Sequence, residues 1–239
     1  MRYELYYWPG IQGRGEFVRL ALEDAGADYV DVARNEKTGM AAMTRLLENR
    51  AVKHAPFAPP FLKAGNLIIA QSANILLYLG PRLGLAPKSD TGRLWAHQLQ
   101  LTVADWVAEL HDTHHPISGA LYYEEQKREA KRRAADFRRE RLPKFLGYFN
   151  DVLKNNPKGS KYVLGKAVSY VDLSLFQMIE GLRYAFPRTM RELEPTHRQM
   201  TELHRRISDR PRLSAYLSSP RRLPFNQEGI FRRYPELDA

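Results

Sequence analysis

A chain of 239 residues with 44% apolar and 27% charged residues has room for one large domain or two small ones, and enough apolar mass for a core. No apolar run approaches the ~20 residues that span a bilayer, and Met1-Arg2-Tyr3-Glu4 lacks the apolar stretch of a signal peptide, so a cytoplasmic protein with no membrane partner is expected. Cysteine is absent, which removes disulfides, thiolate metal sites and cysteine nucleophiles.

Tyr3 to Trp8 reads as an aromatic-rich strand stopped by Pro9-Gly10. A helix follows with Phe17, Val18, Leu20, Ala21 and Leu22, and Gly26 is placed as its C′ glycine. Tyr29 to Val32 is a second strand, and residues 38–49 are helical, with Met40, Met43, Leu46 and Leu47 on one side. Two short apolar runs, Phe61-Leu62 and Leu67-Ile68-Ile69-Ala70, meet through the turn Ala64-Gly65-Asn66, and Pro59-Pro60 precedes the first. Gln71-Ser72 closes the second run, and Ile75, Leu76 and Leu79 continue at helical spacing. Ser72 is the predicted N-cap of that helix. Its first N–H groups and positive dipole end make a site for a carboxylate or phosphate that needs no lysine.

The rhythm changes after Gly80-Pro81. Residues 81–90 form a linker with Pro87 and Ser89-Asp90, and no strand is predicted beyond it. Helices are expected over about 91–115, 123–154, 170–185, 190–208 and 211–218, with a capping box at Ser169-Tyr170-Val171-Asp172 and an irregular tail from Pro220. The net charge of +10 is concentrated, since residues 127–144 carry nine Lys/Arg against three Asp/Glu. Ala130, Ala134, Phe137, Leu142, Phe145, Leu146 and Phe149 recur there at helical spacing. The segment therefore reads as an amphipathic helix with a solvated basic face. Neither a recognisable reading element nor aromatics among the arginines supports nucleic acid as a partner.

These features together resemble the cytosolic glutathione transferases. Tyr7-Trp8 followed by Gly13-Arg14 is similar to the family's catalytic-tyrosine start, Pro60 to its cis-proline, Gln71-Ser72 to the pair that holds the γ-glutamyl end of glutathione, and Ser169 to Asp172 to its helical-domain capping box. The four motifs come in the right order over nearly the whole chain, closest in pattern to the tyrosine-type alpha, mu, pi and sigma classes. The resemblance implies an α/β plus all-α fold: a thioredoxin-like N-terminal domain over 1–80, the linker 81–90, and an all-helical C-terminal bundle over 91–239. It implies glutathione as co-substrate with no other cofactor, a hydrophobic electrophile as second substrate, and a homodimer.

In that reading Tyr7 donates a hydrogen bond to the glutathione sulfur and stabilises the thiolate, the nucleophilic form. Tyr6, on the opposite face of the strand, is its rival. Trp8 stands beside the site. Arg14 is either a cation near the thiolate or one that orders its loop, or else the ion-pair partner of Glu16 or another acid. Gln71 and Ser72 take the γ-glutamyl carboxylate. Asp105 reaches the γ-glutamyl ammonium from the partner subunit or is simply a surface acid. Arg50 or Lys53 meets the glycyl carboxylate. Two departures stand out. Pro9-Gly10-Ile11-Gln12 is one residue longer than the family's loop, and Pro59, which faces the cysteinyl unit, has no N–H to give.

Two further alternatives stay open: a non-catalytic glutathione or apolar-ligand binder of the same fold, and a polyanion-binding module acting through residues 127–144. His111, His114 and His115 beside Asp112 invite a metal reading, but the segment runs into Pro116 and no distant ligand is evident, so no metal is expected. Trp106, Tyr122, Tyr123, Phe186, Phe225 and Phe231 are candidates for an electrophile pocket or for core.

Overall fold

The computed structural model describes residues 1–49 and 51–239, so Arg50 lies outside the described residues. Four strands, β1 (Tyr3–Tyr6), β2 (Tyr29–Asp31), β3 (Phe61–Ala64) and β4 (Leu67–Ala70), form one sheet in the order β2-β1-β3-β4. β1 and β2 are parallel, and the other two pairings are antiparallel. Leu5 opposes Leu62, which opposes Ile69, while Tyr6 opposes Phe61. Since neighbours on a strand face opposite sides, Leu5, Leu62 and Ile69 pack against Val18 and Leu22 of α1 (Gly15–Ala25) and Ile75 and Leu79 of α3 (Ser72–Arg82). On the other side Tyr6 and Phe61 pack with Ala33 and with Met43 of α2 (Gly39–Glu48). The result is the thioredoxin-like layer, entered in the expected order.

β1 stops two residues earlier than predicted. The antiparallel register would set Tyr7 opposite Pro60, which has no N–H for the ladder. The bond between Pro59 and Pro60 is cis. Gly26 ends α1 at φ 63°, its N–H donating to the Glu23 and Leu22 carbonyls.

The second half is helical: α4 (Asp90–His111), α5 (Lys127–Asp136), α6 (Leu142–Lys154), α7 (Tyr170–Ala185), α8 (Pro187–Leu193), α9 (Arg198–Ser208) and α10 (Pro211–Leu217). The stretch expected as one helix over 123–154 is divided. A 3₁₀ turn at Tyr123–Glu125 precedes α5, and a π-helical turn, Phe137–Arg141, joins α5 to α6. Pro143, second residue of α6, has no N–H to pair four residues back, so the helix enters it through the wider turn. The single helix expected over 190–208 is likewise broken at Glu194-Pro195. The Ser169 capping box forms, with the Ser169 N–H donating to the Asp172 carboxylate at 2.8 Å. Trp106 is fully buried and stacks on Phe145 and Phe149 at 5.2 and 5.9 Å.

Buried ion pairs fasten the two halves. Glu16 and Arg19 on α1 are wholly buried and paired at 3.1 Å, and Arg19 also meets Asp31 at 2.6 Å. Glu16 further accepts from Tyr216 of α10 at 2.7 Å and from Arg222 at 2.6 Å. The tail is irregular as expected, yet it is packed rather than loose: Ile230, Phe231 and Leu237 are buried. The Asp238 carboxylate caps the start of α8 through the N–H groups of Arg188 and Thr189. No described helix is long and apolar enough to cross a membrane.

Candidate active site

The site is assembled where the chain leaves β1 and enters α1 and α3. Tyr7 follows the last residue of β1, and the loop Trp8–Arg14 turns back over it. Gly13, at φ 46°, and Gly15 lie so close to the Tyr7 ring that a Cβ at either would run into it. This approach lets the Arg14 backbone N–H donate to the Tyr7 hydroxyl at 2.9 Å. The hydroxyl therefore accepts, and its own hydrogen has no acceptor among the described residues. Burial raises the Tyr7 pKa, and the Arg14 N–H with the charges of Arg14 and Arg19 offsets this only in part, so the phenol keeps its proton at neutral pH.

Tyr6 differs in both respects. Its hydroxyl already donates to Glu4 at 2.7 Å, and its ring is stacked on Phe61 at 4.6 Å beneath α2. It does not share the side of the sheet on which Arg14, Gln71 and Ser72 converge.

Those three residues line a cleft of about 400 Å³ between α3 and α4, together with Asn74, His97, Gln100 and Leu101. The Arg14 side chain is half-buried there and forms no ion pair among the described residues. The alternative pairing with Glu16 does not form, because Arg19 and Arg222 hold that carboxylate. Ser72 is not the N-cap that its sequence predicts. Gln71 occupies that position at φ 69°, ψ 120°, the one non-glycine residue with positive φ among those described, and its carbonyl accepts the first helical bond from Ile75 at 2.8 Å. The Ser72 hydroxyl instead donates across the cleft to the Arg14 carbonyl at 3.2 Å. No side chain caps α3, so its leading N–H groups and dipole end face the cleft beside a guanidinium. A left-handed glutamine costs about 1–3 kcal/mol, and such strain gathers at ligand-binding turns.

Sequence reasoning missed His97 and Gln100. The His97 Nδ1 and the Gln100 Oε1 are buried at this cleft without a hydrogen-bond partner among the described residues. Their spacing on α4 marks one helix face but gives no sign that α3 and Arg14 come up against it.

Trp8 is 42% exposed at the start of the loop. Pro59 is half-buried and Pro60 buried, ahead of β3. Lys53 is exposed and makes no ion pair among the described residues. Asp105 is exposed on another face of α4, in a groove with Thr102, Glu109, Arg141 and Lys144, and does not line the cleft of its own chain. Of the aromatic candidates, Trp106, Tyr123, Phe186 and Phe231 are buried in the core, and Tyr122 is exposed. Phe225 stacks on Tyr184 at 5.0 Å and lies next to Gln12 and Gly13.

The loop after Tyr7 is tied to the C-terminal tail. Asn226 donates to the Gly10 carbonyl at 2.9 Å, Gln12 donates to the Leu223 carbonyl, and Gln12 accepts from Gln177 at 2.8 Å. Loop and tail are thus fastened together, and Tyr7, packed against Gly13 and Gly15 of the loop, is 3% exposed. In the basic segment, Arg141 and Arg133 pair with Glu109, and Arg139 pairs with Asp136 and Glu140.

A family profile described as the C-terminal domain of glutathione S-transferase matches residues 111–220. The chain is 26% identical over 220 residues to a glutathione S-transferase of Plasmodium falciparum, covering 90% of this chain and 94% of that protein. It is 27% identical over 221 residues to glutathione S-transferase P 1 of Xenopus laevis, covering 92% and 93%. The solved pi-class glutathione S-transferase of Onchocerca volvulus superposes with a TM-score of 0.69 at 22% identity, over 90% of this chain and 92% of that one. Residues 111–220 thus match the C-terminal domain of glutathione S-transferase, and the chain as a whole is similar to glutathione S-transferases in sequence and shares their fold.

Proposed function

We propose that this protein transfers the thiolate of glutathione to hydrophobic electrophiles. The observation that carries the reading is the pairing of a protonated, acceptor-seeking Tyr7 hydroxyl with a cation-lined, uncapped helix start held next to it by Arg14. The γ-glutamyl carboxylate sits at the start of α3, taking hydrogen bonds from its N–H groups and from Gln71 and Ser72, with the Arg14 guanidinium alongside. The Tyr7 O–H donates to the sulfur. A charge-assisted bond of this kind favours thiolate over thiol, so the proton leaves to solvent near neutral pH. The thiolate then attacks the electrophilic carbon, and a leaving group departs or the adduct is protonated.

Pro59 contributes its carbonyl to the cysteinyl N–H and nothing more. The missing donor costs on the order of 1 kcal/mol of glutathione affinity. Lys53, or Arg50 outside the described residues, is assigned to the glycyl carboxylate, and Trp8 flanks the electrophile. The protein is read as a cytoplasmic homodimer in which Asp105 serves the partner's γ-glutamyl ammonium. Its exposure away from its own cleft supports that direction, as do Leu94 and Leu101, both exposed on α4, with Leu101 lining the cleft. A second reading, a binder without turnover, is favoured by the burial of Tyr7 beneath its loop. Conjugation of an activated aryl chloride by wild type, Tyr7→Phe and Tyr6→Phe separates the two. A transferase loses rate with Tyr7→Phe alone, whereas a binder shows no enzymatic rate to lose.

A further inference from the structure

The glutathione reading leaves three histidines unused. α4 ends at His111, and the chain turns so that the N–H groups of His114 and His115 both donate to the His111 carbonyl at 3.2 Å. That turn, ahead of Pro116, gathers all three imidazoles. One ligating nitrogen from each lies within 4.8 Å of the others, and the ring centroids are 4.8 to 5.1 Å apart. His114 and His115 are buried and His111 is half-buried, so the cluster has one open side.

The tail supplies what the sequence does not reveal. The His114 Nε2 is 3.0 Å from the carbonyl of Ile230. A carbonyl only accepts, so this nitrogen carries the hydrogen and leaves the His114 Nδ1 as a bare lone pair. That lone pair points at the His115 Nδ1, 2.5 Å away. A ring N–H tied to a backbone carbonyl, with the other nitrogen aimed inward, is the outer-shell arrangement that orients histidine as a metal ligand. Burial, reinforced by the nearby charges of Arg14 and Arg232, holds the cluster below the ordinary imidazole range, His114 at about 2 and His115 at about 4, so the nitrogens stay neutral.

We propose that His111, His114 and His115 form a binding site for a divalent transition-metal ion of the zinc class, with the fourth position left to water. Three neutral imidazoles suit Zn²⁺, Cu²⁺ or Ni²⁺ and reject Mg²⁺ or Ca²⁺, which require oxygen ligands. Around a tetrahedral Zn²⁺ the ligand nitrogens stand roughly 3.3 Å apart, as follows from Zn–N bonds of about 2.0–2.1 Å. The His114–His115 pair therefore opens by under about 1 Å, and the His111 ring closes in by side-chain rotation. The hydrogen now shared between the two Nδ1 atoms passes through solvent to the His115 Nε2, with no net proton release. Arg14 and Arg232 oppose the incoming charge, and the Asp112 carboxylate, 3.7 Å from the His111 Nδ1, partly compensates. The site is thus built for reversible loading.

The test uses the full-length protein, treated with chelator and then dialysed free of it, without glutathione. Calorimetric titration with ZnCl₂ is expected to show one equivalent bound. Co²⁺ is expected to give the visible absorption of a four-coordinate ion with nitrogen ligands. His111→Ala and His115→Ala each weaken Zn²⁺ at least about tenfold, as does His114→Gln, which keeps a donor for the Ile230 carbonyl, while His54→Ala changes nothing. Unchanged melting of His111→Ala by circular dichroism shows that the loss is not unfolding. Absence of Zn²⁺ binding by the wild type at millimolar metal, or equal binding by wild type and all three cluster variants, overturns the proposal.

Discussion

Replacing Tyr7 by phenylalanine removes one oxygen and touches two functions that can be read separately. In the free protein, the Arg14 N–H loses its acceptor at 2.9 Å. Leaving a buried donor unpaired costs about 1–3 kcal/mol, which lowers Tm by several degrees in a chain of this size. In the glutathione complex, the hydrogen bond to the thiolate is also lost. A bond to a charged group contributes about 1.5–3 kcal/mol net, and 1.36 kcal/mol corresponds to one pKa unit. The bound thiol pKa is then expected to rise by roughly 1–2 units, and conjugation at neutral pH to fall about 10- to 100-fold. The assay is the initial rate of conjugation to an activated aryl chloride across pH, with melting curves for each variant. A pKa effect has a signature that misfolding lacks: activity recovers as pH rises. Tyr6→Phe removes only the bond to Glu4, which keeps Lys63 at 2.8 Å, and stays within about twofold. The reasoning fails if Tyr7→Phe keeps the wild-type pH profile, or if Tyr6→Phe is the more damaging change.

Gln71→Gly is expected to raise stability by up to about 1 kcal/mol in urea unfolding, since glycine adopts φ 69° without strain, while calorimetry records weaker glutathione binding. Gly181→Ala places a methyl group against the ring of Phe231, so the tail must move. A loss of roughly 1–3 kcal/mol with faster proteolysis beyond residue 223 is expected, and an unchanged digestion pattern would argue against the packed tail. Arg222→Ala breaks a buried pair with Glu16 at 2.6 Å and is expected to cost about 3 kcal/mol. Burial alone would raise the Glu16 carboxyl, but Arg222, Arg19 and the Tyr216 hydroxyl outweigh it and hold it below the usual range. Its stabilising contribution is therefore present above the unfolded value of about 4.5 and lost as pH falls through the lower folded value. Melting in this acid window is expected to depend less on pH in Arg222→Ala than in wild type.

Local chemistry was legible wherever neighbouring residues decide the outcome. Gly26 after an apolar helix, the turn at Gly65, and Ser169 with Asp172 three residues on each carry their own geometry, and each forms. The apolar spacing of residues 127–149 gave the helical faces but not the π-helical turn, which arises where Pro143 breaks the bonding ladder. What stayed hidden depends on distant partners. Ser72 is an excellent cap by residue type, yet its hydroxyl is diverted to the Arg14 carbonyl, 58 residues away, and Gln71 takes the strained position. Arg14 looked ready to pair with Glu16, but Arg222 from the tail fills that place. His97 and Gln100 acquire meaning only when α4 packs beside α3. The histidine cluster is completed by a carbonyl 116 residues along the chain.

Arg14 and the start of α3 together make the anion seat on which glutathione binding depends, and one titration tests it most directly: glutathione into the wild-type protein, Ser72→Ala and Arg14→Ala, followed by calorimetry. The wild type is expected to bind, Ser72→Ala more weakly, and Arg14→Ala at least about tenfold more weakly, as fits the loss of a charge-assisted contact. No binding by the wild type at millimolar glutathione, or binding that neither substitution changes, would contradict it.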